Sequence, residues 1–132
     1  MQTRTERIQK DIETLAQFTS TPGKGVTRSS YSKEDTMAKY YLTGEMKKIG
    51  LEIYEDGFGT LFGRREGTMK DAPVVMLGSH YDSVVNGGAF DGVAGSVSAL
   101  EVMRVLTEEG FVNDYPLELI LMNAEEGATF GP

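Results

Sequence analysis

A chain of 132 residues, 39% of them apolar and 25% charged, suits one modest globular domain with a real core and is too short for two. Its net charge of -7 repels phosphate backbones, and no lysine or arginine cluster interleaves with aromatics, so no nucleic-acid partner is expected. The lack of cysteine removes disulfides, thiolate nucleophiles and cysteine-based zinc sites together.

The opening residues MQTRTERIQKD are polar where a secretory signal needs an apolar core. Apolar runs are only a few residues long, far short of a membrane span. The expectation is a cytoplasmic protein without a membrane partner. Ile8, Ile12 and Leu15 recur at helical spacing and Phe18 extends the stripe, which predicts an amphipathic helix from Thr5 to Thr19. A loop follows through TSTPGKGVTRSSYS, with Pro22, Gly23 and Gly25. Ser32 and Asp35 form a variant capping box for a second helix, whose apolar face is Ala38, Leu42, Met46 and Ile49 and whose stop is Gly50. LEIYE and TLFGRRE, parted by Asp56, Gly57 and Gly59, read as a hairpin.

Ala72 to Leu77 is a continuous apolar run, the pattern of a strand covered on both faces. Val93 to Glu109 carries Val93, Val97, Leu100 and Met103 or Leu106 at helical spacing before Gly110, and LELILMN repeats the buried-strand pattern. Strand, loop, helix and strand make a βαβ unit. The fold class is therefore α/β, with a mixed, mainly parallel sheet flanked by helices. Ligands in such sheets gather beyond the carboxyl ends of the strands. His80 follows one strand and Glu125 and Glu126 follow another, so both polar clusters fall on the same rim.

His80 is the sole histidine, and it lies in GSHYDSVVNGGAFDGVAG with two aspartates. In extended backbone His80 and Asp82 point to one side, so the Asp82 carboxylate can hold one ring nitrogen while the other meets a cation. Asp91 stands just before a helix, where a carboxylate is an acceptable N-cap, and taken by itself it reads as a cap alone. Glu125 and Glu126 are either a solvated acidic pair, or a ligand beside a proton carrier. The glycines Gly87, Gly88, Gly92, Gly95 and Gly127 let backbone crowd close to a small group. Phosphate is the weaker guest, because neither GxxxxGK[ST] nor GxGxxG is present. Ser79, Ser83 and Ser96 lie near His80 in sequence without a GxSxG elbow, and the methionines fall on apolar stripes as core filler.

SHYDS, NGGAFDGVAG and NAEEGATFGP together resemble the metal-dependent amidohydrolases of N-carbamoyl-L-amino acids, β-ureidopropionate and allantoate, relatives of the dinuclear zinc aminopeptidases and aminoacylases. TPGKGVTR, SKED, KKIGLEI and DGFGTLFGR extend the resemblance over nearly the whole chain. It implies the amino-terminal part of a zinc-exopeptidase-like catalytic domain. The cofactors implied are two divalent ions, zinc or manganese, cobalt or nickel, and the substrate is a small ureido or amide molecule. By the same resemblance His80 binds one ion, Glu126 the other, and Asp91 bridges them. Asp82 orients the His80 ring, and Glu125 is the general base. Thr60, Ala128 and Thr129 depart from the family pattern at positions bearing on substrate choice.

The family continues past EEGxxFGP with further histidine ligands and a smaller domain that holds substrate and dimerises. Here each ion would have only two protein ligands, where catalytic zinc takes three. The expectation is a partial catalytic domain at 1–132, inactive alone, from a protein that is a homodimer at full length. A dipeptidase or aminoacylase of the same superfamily and a non-catalytic α/β binding module are the other readings.

Overall fold

The computed structural model describes residues 1–127. Ala128 and Thr129 lie outside the described residues. The element order is α1 (Thr5–Ala16), α2 (Lys33–Lys48), β1 (Glu52–Glu55), β2 (Leu61–Arg65), β3 (Val75–His80), α3 (Val93–Glu108) and β4 (Leu117–Met122). No helix among the described residues is long and apolar enough to cross a membrane.

The strands form one sheet in the order β1-β2-β4-β3. β1 and β2 make the expected antiparallel hairpin, with Ile53 opposite Gly63. β3, α3 and β4 make the βαβ unit, with β3 parallel to β4 and Leu77 opposite Leu119. β2 inserts antiparallel beside β4. The sheet is thus mixed, as expected, but its parallel share is smaller than expected, since among the described residues only the β3–β4 pairing is parallel.

The three helices pack on the face that bears Leu61, Leu119 and Leu121. Leu15 of α1, Ala38, Leu42 and Met46 of α2, and Val97, Leu100 and Met103 of α3 are buried there. Each such side chain contributes about 1.5–3 kcal/mol on leaving water. Gly63 lets α2 settle on β2, because a Cβ there would lie 2.7 Å from Met46 Sδ. Across the sheet, Tyr54 stacks on Phe62 with ring centroids 4.6 Å apart, and Met76 and Ile120 are at least partly exposed.

Two expectations are corrected here. The apolar run does not enter the sheet at Ala72 but at Val75, and it is not covered on both faces, since Val75 and Met76 are 48% and 51% exposed. β3 is the edge of this sheet and receives a helix on one side only. α1 ends at Ala16 rather than at Thr19, with Gln17 as its C-cap.

Charged residues hold α1 down. Arg104 of α3 donates to Asp11 at 2.6 and 3.2 Å and to Glu45 at 2.9 Å. Arg7 donates to Glu101 at 2.7 and 2.9 Å and also pairs with Glu108. Asp11 and Glu101 are buried, and each has its acceptors filled, which is the condition for burying a charge without a large penalty.

Candidate metal centre

β3 and β4 run parallel, so their carboxyl ends lie side by side. β3 ends on His80, which is buried at 8% exposure. β4 ends at Met122, and a turn then carries Glu125 and Glu126. The loop before α3 brings Asp91 to the same rim. One ligand atom from each of His80, Asp91 and Glu126 lies within 4.8 Å of the others. Their burial grades outward from the imidazole through Glu126 to an Asp91 side chain that is 65% exposed.

The imidazole is oriented by what surrounds it. Nδ1 lies 3.0 Å from the main-chain carbonyl of Asp82 and 3.4 Å from its carboxylate, so the carbonyl is the nearer acceptor. With its proton on that side, Nε2 faces Asp91 Oδ1 at 3.9 Å and Glu125 Oε2 at 3.6 Å. Gly92 closes the other side, where a Cβ would lie 2.5 Å from both ring nitrogens. Its φ of +67° is a conformation that only glycine adopts cheaply.

Gly92 is also the N-cap of α3, and among the described residues no side chain caps that helix. Asp91 is therefore free of the capping role open to it in the sequence, and its carboxylate is directed to the cluster. Ser96 donates to the His80 carbonyl and Ser83 to the Val26 and Val84 carbonyls. Both hydroxyls are thus engaged with backbone.

Asp82 does more than face the ring. Its two oxygens accept the amides of Glu125 at 3.2 Å and Glu126 at 3.1 Å. One carboxylate thereby fixes the imidazole on β3 relative to the acidic turn after β4. Burial alone would push Asp82 up. The His80 hydrogen bond and those two amides outweigh it and hold the carboxyl below its ordinary value.

The same field acts on the neighbours. The Asp82 hydrogen bond, opposed by burial, pushes His80 up to about 9. Burial and the adjacent Asp91 carboxylate raise Glu126. A divalent cation relieves the mutual repulsion of carboxylates crowded in this way, and imidazole with carboxylates is a donor set suited to zinc and its neighbours in the first transition row. The residues present fit such an ion.

Several participants were invisible in the sequence. Arg28 is buried, and its Nε donates to the Tyr81 carbonyl at 2.7 Å while Nη1 donates to the Leu15 and Phe18 carbonyls. Its amide donates to Ser83 Oγ at 2.8 Å, and its carbonyl accepts from the Ser83 amide. Arg28 thus anchors the segment carrying Asp82 to the end of α1. Asp35 and Asn123 are joined by a hydrogen bond beneath the acidic turn, a contact that the spacing of Asp35 from Ser32 does not announce.

An α/β sheet with an imidazole–carboxylate cluster at the rim of a parallel strand pair defines a scaffold with a candidate site for a divalent ion. The sequence profile of peptidase family M28 matches residues 60–131. The chain belongs to peptidase family M28.

Among relatives, it is 50% identical over 125 residues to N-carbamoyl-L-amino-acid amidohydrolase from Paenarthrobacter aurescens, covering 95% of this chain and 30% of that protein. It is 41% identical over 124 residues to ureidoglycolate hydrolase from rice (Oryza sativa subsp. japonica), covering 94% of this chain and 26% of that one. A crystal structure of a hydantoinase/carbamoylase family amidase from Burkholderia ambifaria superposes with a TM-score of 0.93 at 35% identity, over 98% of this chain and 32% of that one. The chain thus spans about a third or less of the length of these proteins.

Proposed function

We propose that this chain supplies the core of a metal-dependent amidohydrolase site that cleaves a linear ureido or amide C–N bond, with an N-carbamoyl amino acid as the substrate class. The observation that carries the reading is the convergence of His80, Asp91 and Glu126 with Glu125 beside them. His80 would hold one divalent ion, Glu126 a second, and Asp91 both. Such ions, when bound, polarise a carbonyl and acidify a water.

The chain's own groups do the rest. Asp82 holds the imidazole and the acidic turn in register. Glu125 is half exposed at the mouth, placed to take a proton from the attacking water and return it to the leaving nitrogen as the C–N bond breaks. In the chain alone, with a single histidine, the same three donors would hold one ion with three ligands more readily than two ions with two each. The isolated chain is accordingly expected to bind an ion without turning over substrate.

The test is calorimetric titration with Zn2+ or Co2+, together with amine release from an N-carbamoyl-L-amino acid. Ion binding that is lost in His80→Ala supports the reading, and no ion binding by the parent chain refutes it. In the full-length enzyme, which the isolated chain does not replace, turnover of a dipeptide against an N-carbamoyl-L-amino acid separates a peptidase, which the family match favours, from an amidohydrolase, which the two relatives above favour.

A further inference from the structure

The first turn of α2 holds a carboxylate that helix capping does not account for. Ser32 is the N-cap, and its Oγ accepts the Asp35 amide at 3.1 Å, which is one half of a capping box. The reciprocal half is missing, because the Ser32 amide donates to the Ser29 carbonyl instead. Asp35 turns inward and is 2% exposed. Its Oδ2 accepts the Tyr31 amide at 2.9 Å and the Asn123 side-chain amide at 3.3 Å, while Oδ1 has no hydrogen-bond partner among the described residues. Burial raises its pKa against those bonds. A buried carboxylate with one idle oxygen is an expensive way to begin a helix.

What the carboxylate holds is backbone in unfavourable conformations. Tyr31 has a φ of +64° and Ala124 a φ of +58°, both in the left-handed region that residues with a Cβ avoid. Asp35 grips the first directly. It reaches the second through Asn123, whose Oδ1 accepts the Ala124 amide at 2.9 Å. Asn123 is in turn seated by Thr60 Oγ1, which accepts its amide at 3.4 Å. The next two amides, of Glu125 and Glu126, are those that Asp82 accepts. The acidic turn is therefore held from two sides, by Asp82 on the β3 side and by Asp35 through Asn123 on the α2 side. Strained backbone persists only where its surroundings fix it so firmly.

We infer that Asp35 is a positioning residue that acts through Asn123 to aim Glu125 and Glu126 at the His80 rim. The link is a relay of hydrogen bonds, and Asp35 touches neither substrate nor ion. The consequence for an ion rests on the function proposed above, whereas the effect on the turn does not.

Two measurements separate these. In the metal-free chain, amide exchange followed by NMR reads the turn directly. Asp35→Ala is expected to speed exchange at Glu125 and Glu126 at least tenfold relative to amides in the middle of α3. Asn123→Ala cuts the same link from the β4 side, is expected to do the same, and serves if the first variant does not fold. Asp35→Asn can keep its oxygen at the Oδ2 position and its new amide at the idle one, so it is expected to retain protection within about threefold. In Co2+ titrations read by visible absorption, the two alanine variants are expected to lose about tenfold in affinity with an altered spectrum, and Asp35→Asn to match the parent, in line with the usual effect of removing a group that supports ligands.

Folded alanine variants whose Glu125 and Glu126 amides exchange within twofold of the parent overturn the inference. So does an Asp35→Asn chain that loses protection as fully as Asp35→Ala. A parent chain that binds no Co2+ sinks the metal reading and leaves the exchange result to decide the role of Asp35.

Discussion

Gly92→Ala tests the geometry of the candidate centre with one methyl group. Two penalties arise, and the structure separates them. The first is backbone: with φ +67° and ψ −49° Gly92 sits near the γ-turn conformation of positive φ, a sparsely populated region that costs a residue with a Cβ roughly 1–3 kcal/mol. The second is steric. The added carbon would sit 2.3 Å from His80 Cε1 and 2.5 Å from both ring nitrogens, where ordinary contact begins near 3.4 Å, so the ring must retreat by about 1.1 Å. That retreat opens the 3.0 Å contact between Nδ1 and the Asp82 carbonyl and carries Nε2 off the cluster.

Gly110→Ala is the control for a positive φ alone, because Gly110 has a φ of +62° and an added methyl group there would meet nothing within 4 Å. Gly88→Ala controls for both, being open and without a positive φ. The assay is Co2+ affinity beside thermal unfolding. Gly110→Ala should lower Tm by about 3–8 °C, the range that 1 kcal/mol or slightly more produces in a small domain, with unchanged affinity. Gly92→Ala should lower Tm at least as much and weaken Co2+ binding by roughly 10–100-fold, the range seen when support of a ligand is lost. Affinity in Gly92→Ala within twofold of the parent would refute the claim that this glycine seats the imidazole.

Glu125→Gln should leave ion affinity within about threefold while cutting turnover of the complete enzyme at least 100-fold, as loss of a general base does; retained turnover would remove Glu125 from that role. Asp11→Ala leaves the buried Arg104 guanidinium short of its partner and should destabilise the chain by about 3–5 kcal/mol in urea titrations, and a loss under 1 kcal/mol would contradict the clamp. Burial alone would raise Glu101, but hydrogen bonds from Arg7 and the Arg4 amide hold its pKa below the ordinary 4.5. Its stabilising contribution is then complete above that ordinary value and drains as pH falls below it toward the folded value. Urea midpoints at pH 6.5 and pH 3.5 should therefore differ less in Glu101→Gln than in the parent, and an equal difference would show that Glu101 carries no acid sensitivity.

Much of the rim was legible because topology does the placing. Once 72–77 and 117–123 read as strands of one βαβ unit, their ends had to be neighbours, and His80 and Glu126 came with them. Asp91 was ambiguous in the sequence since a residue before a helix can cap it; only the observed Gly92 N-cap frees it. The burial of Asp11 could not be read from α1, because its partner Arg104 is 93 positions away and looks like a surface charge on its own helix. The same holds for Asp35, whose spacing from Ser32 advertises a capping box and conceals the contact with Asn123. The exposed Val75 and Met76 mark a different limit. Apolar composition records that a strand is suited to burial and says nothing of which neighbours supply it.

The double grip of Asp82 has a consequence for how damage spreads. Because a single carboxylate clasps the ring on one strand and two amides beyond the other, the halves of the rim cannot loosen separately. Injury on either side reaches the far side through that one group, so paired substitutions straddling it should cost less together than the sum of their separate costs.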